Sequence, residues 1–309
     1  MHRSNRRAEK VLLGAHFSIA GGLHKAVETA SRYGCPVLQV FTKNASTWKE
    51  RQLSTQEIEQ FDRARRQGNI QVVCSHAAYL INLASPDRRT HERSINALAN
   101  ELIRSAQLGI PYVILHPGAH MGRGEDYGLR RVAESINTVF AQTRDETCQL
   151  LLETTAGQGS NLGYRFEQLA YIADRVEAQD RLGFCFDTCH VFAAGYDLRT
   201  KKAYNRTISA FDGLVDLERL HVIHVNDAKK GLGSRVDRHE HIGQGMIGME
   251  AFGFIMNDSR LRSMAKILET PKNHGVDHDQ LNLNRLRALV SPLPTMVALQ
   301  SENKDLLYD

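Results

Sequence analysis

The segment Arg88–Gly118, RRTHERSINALANELIRSAQLGIPYVILHPG, contains the unit that decides the fold. Its first part repeats apolar residues at three- and four-residue spacing, which predicts a helix over Asp87–Leu108 with one buried face. Its second part, YVIL, is a short apolar run, and His116 follows it directly. Such a run is typical of a strand that is buried on both faces of a sheet. The segment therefore predicts a helix and then a buried strand that ends at a polar residue.

The same unit recurs along the chain, because short apolar runs alternate with longer amphipathic stretches. The predicted strands are Val11–Ala15, Val37–Phe41, Ile70–Cys74, Tyr112–Leu115, Leu150–Leu152, Leu182–Phe186, Leu220–Val225 and Met264–Leu268. Predicted helices include Gly22–Tyr33, Thr55–Arg66, Asp87–Leu108, Gly128–Arg144 and Phe166–Val176. Eight such units in about 290 residues favour an α/β fold in which a parallel sheet closes into a (β/α)8 barrel. An open doubly wound sheet is the alternative.

The composition is that of an ordinary globular protein, with 309 residues, 42% hydrophobic and 24% charged, and a net charge of +4. No linker rich in Pro, Gly or Ser divides the chain, so we expect one barrel domain over residues 11–290. A basic N-terminal extension over 1–10 and an unassigned tail over 291–309 flank it. No run of 18 apolar residues suggests a membrane span. The five cysteines include no CxxC pair, which indicates reduced thiols and a cytoplasmic protein.

Six consecutive predicted strands end at a histidine, an aspartate or a glutamate. These residues are His76, His116, Glu153, Asp187, His224 and Glu269. In a barrel, the carboxyl ends of the strands meet at one mouth, where catalytic residues are found. One such residue alone is more often a hydrogen-bonded side chain or a helix N-cap, but capping would use Ser, Thr and Asn as freely. Because imidazole nitrogens and carboxylate oxygens bind Zn²⁺ and similar ions, the set predicts a metal site.

Three more candidate ligands lie in loops. His190 comes three residues after Asp187, and Asp237 and His239 have a spacing that directs both side chains the same way from an extended segment. A mononuclear site needs only three protein ligands, so nine candidates indicate a metal cluster.

Gly243–Gly248 fits the pattern GxGxxG, but it follows a polar stretch instead of a strand. A dinucleotide site is therefore not expected there.

Several long motifs resemble those of the endonuclease IV family, the metal-dependent apurinic/apyrimidinic endonucleases also called AP endonuclease family 2. They are FTKN at Phe41–Asn44, SHAAYLINLA at Ser75–Ala84, HPG at His116–Gly118, ETTAGQGSNLG at Glu153–Gly163, DTCHVFAAGYD at Asp187–Asp197, HVNDAKKGLGSRVDRHEHIGQGMIG at His224–Gly248 and LETP at Leu268–Pro271. The motifs follow the order of the family over residues 11–290. The resemblance implies a single-domain TIM barrel that holds three zinc ions.

The resemblance also assigns the nine candidate ligands to three ions. The groups are His76, His116 and Glu153 for the first, Glu153 as a bridge with Asp187, His224 and Glu269 for the second, and His190, Asp237 and His239 for the third. It implies hydrolysis of duplex DNA 5′ to an abasic site, which leaves a 3′-hydroxyl, and removal of 3′-blocking groups. Glu153 and Glu269 would be the catalytic residues. Manganese or iron would also suit these ligands.

The expected partner is double-stranded DNA that contains abasic sites or blocked 3′ ends, bound by a monomer. Such DNA must be bent, and the abasic nucleotide extruded, to reach a recessed site. Tyr79 and Leu80 are candidates for insertion into the duplex, with ordinary loop packing as the alternative. Candidate phosphate contacts are Lys43, Arg235 and Arg238, with solvated surface charge as the alternative.

The loop after FTKN departs from the family. Many members carry an arginine there that reaches into DNA, but this sequence has Ala45-Ser46-Thr47-Trp48, so Trp48 or a neighbour would have to replace it.

Two other functions remain open. One is a metal-dependent sugar isomerase or epimerase of the same barrel type, which does not need all nine ligands. The other is a nucleic-acid binding module without catalysis, which the complete ligand set disfavours.

Overall fold

The computed structural model of the protein describes residues 11–272 and 277–291. Eight parallel strands close into a barrel, as predicted, in which the first strand of the chain pairs with both the second and the last. The barrel strands are β1 Leu13–His16, β2 Val37–Val40, β3 Val72–His76, β4 Tyr112–Leu115, β5 Gln149–Glu153, β6 Leu182–Asp187, β7 Leu220–His224 and β10 Ala265–Leu268. The closed sheet excludes the doubly wound alternative. The predicted extension over 1–10 and all but the first residue of the predicted tail lie outside the described residues.

Helices cover the outside of this barrel. They are α1 Leu23–Arg32, α2 Thr55–Gln67, α3 Arg88–Gln107, α4 Glu125–Gln142, α5 Phe166–Ala173, α6 Thr188–Ala194, α7 Lys201–Val215, α8 Met249–Asn257 and α9 His278–Ala288. Short polar side chains fix several first turns: Ser54 forms a capping box with Glu57, and Asp87 accepts the main-chain N–H of Thr90. Among the helices of the described ranges, none combines the length and the apolar character that a membrane crossing requires.

The barrel interior has an apolar lower part and a polar mouth. Residues that point inward from the middle of the strands form one buried cluster: Val37, Cys74, Ile114, Leu151, Cys185, Val222, Ala265 and Ile267. Strands β1 and β2 approach so closely here that a Cβ on Gly14 would lie 1.8 Å from the carbonyl oxygen of Val37. The outward side chains of the strands pack against the helices in a second, larger core. Because successive side chains point to opposite faces of a strand, the residue two positions after the last inward member of the cluster on each strand also points inward, and it faces the mouth.

A small hairpin extends the mouth after β7. It pairs β8, Asp227–Ala228, with β9, His239–Glu240, in antiparallel register. The hairpin positions Asp237 and His239, the only predicted ligands that come from neither a strand end of the barrel nor a helix.

Candidate metal centre

Each of the eight barrel strands contributes one polar side chain to the mouth. Six of them are the predicted strand-end residues. The other two, His16 on β1 and Gln39 on β2, were missed by the sequence analysis. The sequence marks Gln39 only as the single polar residue within the apolar run Val37–Phe41; its direction towards the mouth follows from the barrel, in which Val37, two residues earlier, points inward.

Glu153 lies at the centre of the mouth and is fully buried. Its Oε2 lies 3.1 Å from His76 Nε2 and 3.0 Å from His116 Nε2. Its Oε1 lies 2.9 Å from His224 Nδ1 and 3.2 Å from His190 Nδ1. One carboxylate therefore contacts four histidines that come from four different places in the chain.

The nine predicted ligands converge around this carboxylate in overlapping groups. Groups whose ligand atoms lie within 4.8 Å of one another are His76, His116 and Glu153; Glu153, Asp187, His224 and Glu269; and Asp187, His190 and His239. The first two groups match those implied by the family resemblance. Asp237 joins the third, because its carboxylate lies 3.3 Å from His190 Nε2 and 3.6 Å from His239 Nε2. Cys185 Sγ also lies within 4.8 Å of ligand atoms of Glu153 and His224, which the sequence analysis did not expect.

The histidine rings are oriented as metal ligands are. His76, His190 and His239 each have Nδ1 at hydrogen-bond distance from a main-chain carbonyl oxygen, at 2.8, 2.8 and 3.1 Å. A proton on Nδ1 satisfies this bond and leaves the lone pair on Nε2, which is how proteins fix a histidine for metal binding. The Nε2 atoms of His190 and His239 are buried, and no residue within 11–272 and 277–291 forms a hydrogen bond with them. The donor set thus fits bound divalent cations.

The charge of the site also fits cations. Four carboxylates meet here, and within the described part of the chain no lysine or arginine forms an ion pair with them. Burial alone would raise the pKa of Glu153, but His224 and His116 outweigh it and hold this pKa well below its ordinary value. Burial alone would lower the pKa of His190, but Asp187 and Asp237 raise it well above its ordinary value. Both shifts show that the mouth favours positive charge, which a bound divalent cation would supply.

Asp187 is both a helix cap and a member of the site. Its Oδ1 accepts the main-chain N–H of His190 at 2.8 Å and so begins α6, which is the helix N-cap role considered above as the alternative for a strand-end residue. Its Oδ2 accepts a hydrogen bond from Asn226 Nδ2 at 2.7 Å and faces His224 and His239. Asn226, missed by the sequence analysis, also accepts the N–H of Glu269 through Oδ1 at 2.8 Å. The capping and metal-site interpretations of Asp187 are therefore compatible.

The glycine-rich loop after β9 surrounds a carboxylate of the protein itself. Asp227 accepts the N–H groups of Gly243 and Gly245 on Oδ2, at 2.9 and 3.0 Å, and those of Ala228 and Ile247 on Oδ1, at 2.8 and 3.0 Å. A Cβ on Gly245 would lie 2.5 Å from Asp227 Oδ1, which explains why glycine is needed. The N–H groups of the GxGxxG pattern are thus used internally, in line with the expectation that it binds no dinucleotide.

Most of the candidate DNA contacts lie at the rim of the mouth. Tyr79 is 68% exposed and packs edge-on against Phe41, and Leu80 beside it is half-buried. Arg235 and Arg238 are exposed on the hairpin loop, and the Arg235 guanidinium lies 4.5 Å above the centre of the Tyr164 ring. The cleft beneath them is open and is bordered by Glu269, Asp237 and several of the histidines.

Lys43 and Trp48 are turned towards the protein. Lys43 is only 5% exposed, and its Nζ donates to the Thr47 carbonyl at 2.8 Å and lies 3.3 Å from Glu50 Oε1. Trp48 is half-buried, with the Arg93 guanidinium 4.6 Å above its ring. The position of Lys43 argues against the predicted phosphate contact and favours support of the loop over residues 43–50.

Comparison with known proteins gives consistent matches. The model of the family described as "Xylose isomerase-like TIM barrel" matches residues 27–289. A protein of Geobacter sulfurreducens named "Probable endonuclease 4" is 48% identical over 278 residues, which cover 90% of this chain and 94% of that protein. A Chloroflexus aggregans protein of the same name is 49% identical over 277 residues, which cover 90% and 97% of the two chains.

Solved structures agree with these matches. Endonuclease IV from Thermus thermophilus is similar with a TM-score of 0.80 and 39% identity, over 90% of this chain and 98% of that one. A D-tagatose 3-epimerase-like protein has a TM-score of 0.68 over 94% and 99% of the two chains, but only 15% identity. The second likeness therefore concerns the fold alone.

Proposed function

The chain belongs to the endonuclease IV family of xylose isomerase-like TIM barrels, and we propose that it is a zinc-dependent endonuclease of base excision repair. It would hydrolyse the phosphodiester 5′ to an abasic site in duplex DNA, leave a 3′-hydroxyl and remove 3′-blocking groups. The observation that carries this proposal is the convergence of nine His, Asp and Glu side chains on one barrel mouth.

We assign the ligands as the family resemblance implies, with support from the observed groups, of which the third contains Asp187 beside His190 and His239 and has Asp237 close to it. His76, His116 and Glu153 would hold one ion, Glu153, Asp187, His224 and Glu269 the second, and His190, Asp237 and His239 the third. Nitrogen and oxygen donors of this kind suit zinc, and they would also accept manganese or iron. When bound, the ions would neutralise charge on the phosphate oxygens and lower the pKa of a water molecule.

The two catalytic glutamates would have different roles. Glu153 is fully buried, so it would act as a ligand in the first two groups and would not touch DNA. The Glu269 side chain is 15% exposed and borders the open cleft, so it would accept a hydrogen bond from the attacking water. His224, with the other histidines nearby, keeps the pKa of Glu269 at about 2 against the effect of burial, so this carboxylate is ionised at neutral pH.

The rim would bind the DNA. We propose that Tyr79 and Leu80 contact the bases next to the extruded nucleotide, and that Arg235 and Arg238 contact phosphates. Lys43 would instead hold the neighbouring loop, because its Nζ is bound within the protein. We further propose that the protein acts as a monomer in the cytoplasm, where its five cysteines, all buried, stay reduced.

The isomerase alternative has less support. The epimerase-like structure shares only the fold, whereas relatives at 45–49% identity carry the name endonuclease 4. A sugar isomerase site also has no use for the hairpin ligands Asp237 and His239 together with His76 and His116. Substrate tests can separate the two functions directly.

The test uses duplex DNA with one abasic analogue and, separately, a duplex with a 3′-phosphate. Chelation is expected to abolish cleavage of both, and added zinc to restore it, with about three ions per chain by elemental analysis. Glu269→Gln is expected to abolish incision without loss of fold, whereas Glu134→Gln on the exposed face of α4 serves as a neutral control. Full activity after chelation, or sugar isomerisation without DNA cleavage, would refute the proposal.

A further inference from the structure

Gln39 is a buried amide among metal-ligand candidates, although it is not one of the nine. Its side chain has no exposure to solvent, at the inward position where β2 reaches the mouth. Burial of an amide is unfavourable unless its hydrogen bonds are made. The partners that satisfy it therefore indicate why it lies there.

Among the residues that the structure describes, each hydrogen-bond partner of this amide belongs to the mouth. Gln39 Oε1 lies 2.7 Å from His224 Nε2, and its Nε2 donates to Glu269 Oε1 at 2.5 Å. The same Nε2 lies 3.0 Å from His16 Nδ1. The amide thus joins two members of the second ligand group and links β2 to residues at the ends of β1, β7 and β10.

The orientation of the amide decides which nitrogen of His224 is available. Because the Gln39 oxygen can only accept, His224 must carry a proton on Nε2. His224 Nδ1 then has its lone pair directed at the second ligand group, 2.9 Å from Glu153 Oε1 and 3.2 Å from Glu269 Oε2. A flipped amide would set its oxygen against the Glu269 carboxylate oxygen, so the contact with Glu269 fixes the orientation of the amide and, through it, the tautomer of His224.

We propose that Gln39 is a positioning residue for the second metal ion. It fixes the His224 proton on Nε2, and it holds one oxygen of Glu269 so that the other oxygen faces the ion. A neutral amide performs both tasks without adding charge to a mouth that already contains four carboxylates. This inference rests on the proposed function, because it assumes that the mouth holds metal ions.

The test compares Gln39→Met, which keeps the length of the side chain without its hydrogen bonds, with Gln39→Ala, which leaves room for water. Cys74→Ala is the matched control, since Cys74 pairs in register with Gln39 and lies in the barrel interior without being a proposed ligand. Metal content after dialysis against a graded chelator gives the affinity of each ion. Circular dichroism of the metal-free variants checks the fold.

We expect both Gln39 variants to bind one ion about 10- to 100-fold more weakly, as is typical when the hydrogen-bond partner of a ligand is removed, and to keep the other two. Cys74→Ala is expected to retain all three. If Gln39→Met does not fold, Gln39→Ala decides alone. Wild-type affinity for every ion in a folded Gln39 variant, or an equal loss in Cys74→Ala, would overturn the role of Gln39. A wild-type protein that binds no metal would instead refute the proposed function and this inference with it.

Discussion

The carboxylate of Asp227 offers a direct test of how the hairpin is held. Replacement by alanine removes the acceptor for four main-chain N–H groups. Gly243 and Gly245 lie on an accessible part of the loop, so water can replace two of these bonds, whereas Ala228 and Ile247 are buried. An orphaned buried donor costs about 1–3 kcal/mol, so the two that water cannot reach predict a loss of about 2–6 kcal/mol in Asp227→Ala.

Asp227→Asn is expected to lose less, about 1–3 kcal/mol, because its amide oxygen can still serve the two buried donors. Urea unfolding of the metal-free proteins measures both losses, with Asp87→Ala as a control. That variant removes the carboxylate that caps α3, a helix that no hydrogen bond or ion pair of the described residues joins to a proposed metal ligand, and is expected to lose about 0.5–2 kcal/mol.

Loss of the Asp227 carboxylate is also expected to change the metal centre. Because Ala228 pairs in register with His239, loosening of the hairpin is expected to weaken the ion held by Asp237 and His239 and to leave the other two bound. Elemental analysis of Asp227→Ala would then give about two ions per chain. A loss of stability below about 1 kcal/mol would show that the four N–H groups do not depend on this carboxylate.

Three further predictions concern the mouth and its rim. Folding raises the pKa of His190, so its contribution to stability is complete below the unfolded value of about 6.5 and is lost as pH rises through the folded value. The melting temperature of the metal-free protein is therefore expected to fall from pH 7 to 9, and that of the zinc-loaded protein to change less, by calorimetry. Tyr79→Ala is expected to change stability by less than about 0.5 kcal/mol, because the side chain is exposed, but to weaken binding to abasic duplex about tenfold in a fluorescence titration. Lys43→Ala is expected to lower stability by about 1–3 kcal/mol and to leave the salt dependence of DNA binding unchanged, whereas Arg238→Ala is expected to reduce the slope of that dependence by about one.

The sequence predicted the barrel and six residues of its mouth for one physical reason. Parallel strands buried on both faces are apolar runs, so a polar residue that ends such a run stands out, as His116 does after YVIL. The same property concealed Gln39, because Val37 and Leu38 are both apolar although they face opposite sides of β2. Which face Gln39 occupies depends on the barrel, and the run alone does not reveal it.

Side-chain direction in the loops was less predictable than residue type. Lys43 follows β2 in a motif that the family resemblance associates with DNA, yet its Nζ points inward to Thr47 and Glu50. Glu50 in turn lies 2.5 Å from an Arg104 nitrogen on α3, which is more than fifty residues away in the chain. The orientation of Lys43 thus depends on a contact between distant segments, which local sequence does not encode.

The structural element that carries each proposed ligand also predicts the order in which a chelator removes the ions. The first two groups consist of residues at strand ends, whose backbone is fixed by pairing with neighbouring strands on both sides. In the third group, Asp237 is 40% exposed, and it and His239 belong to a hairpin of two residue pairs. A ligand on a less rigid element holds its ion less firmly, since more conformational freedom is lost on binding. Graded chelation followed by elemental analysis is therefore expected to remove one ion first, and Asp237→Asn to remove that ion alone. If this variant instead lost all three ions together, the hairpin and the strand ends would form one inseparable site.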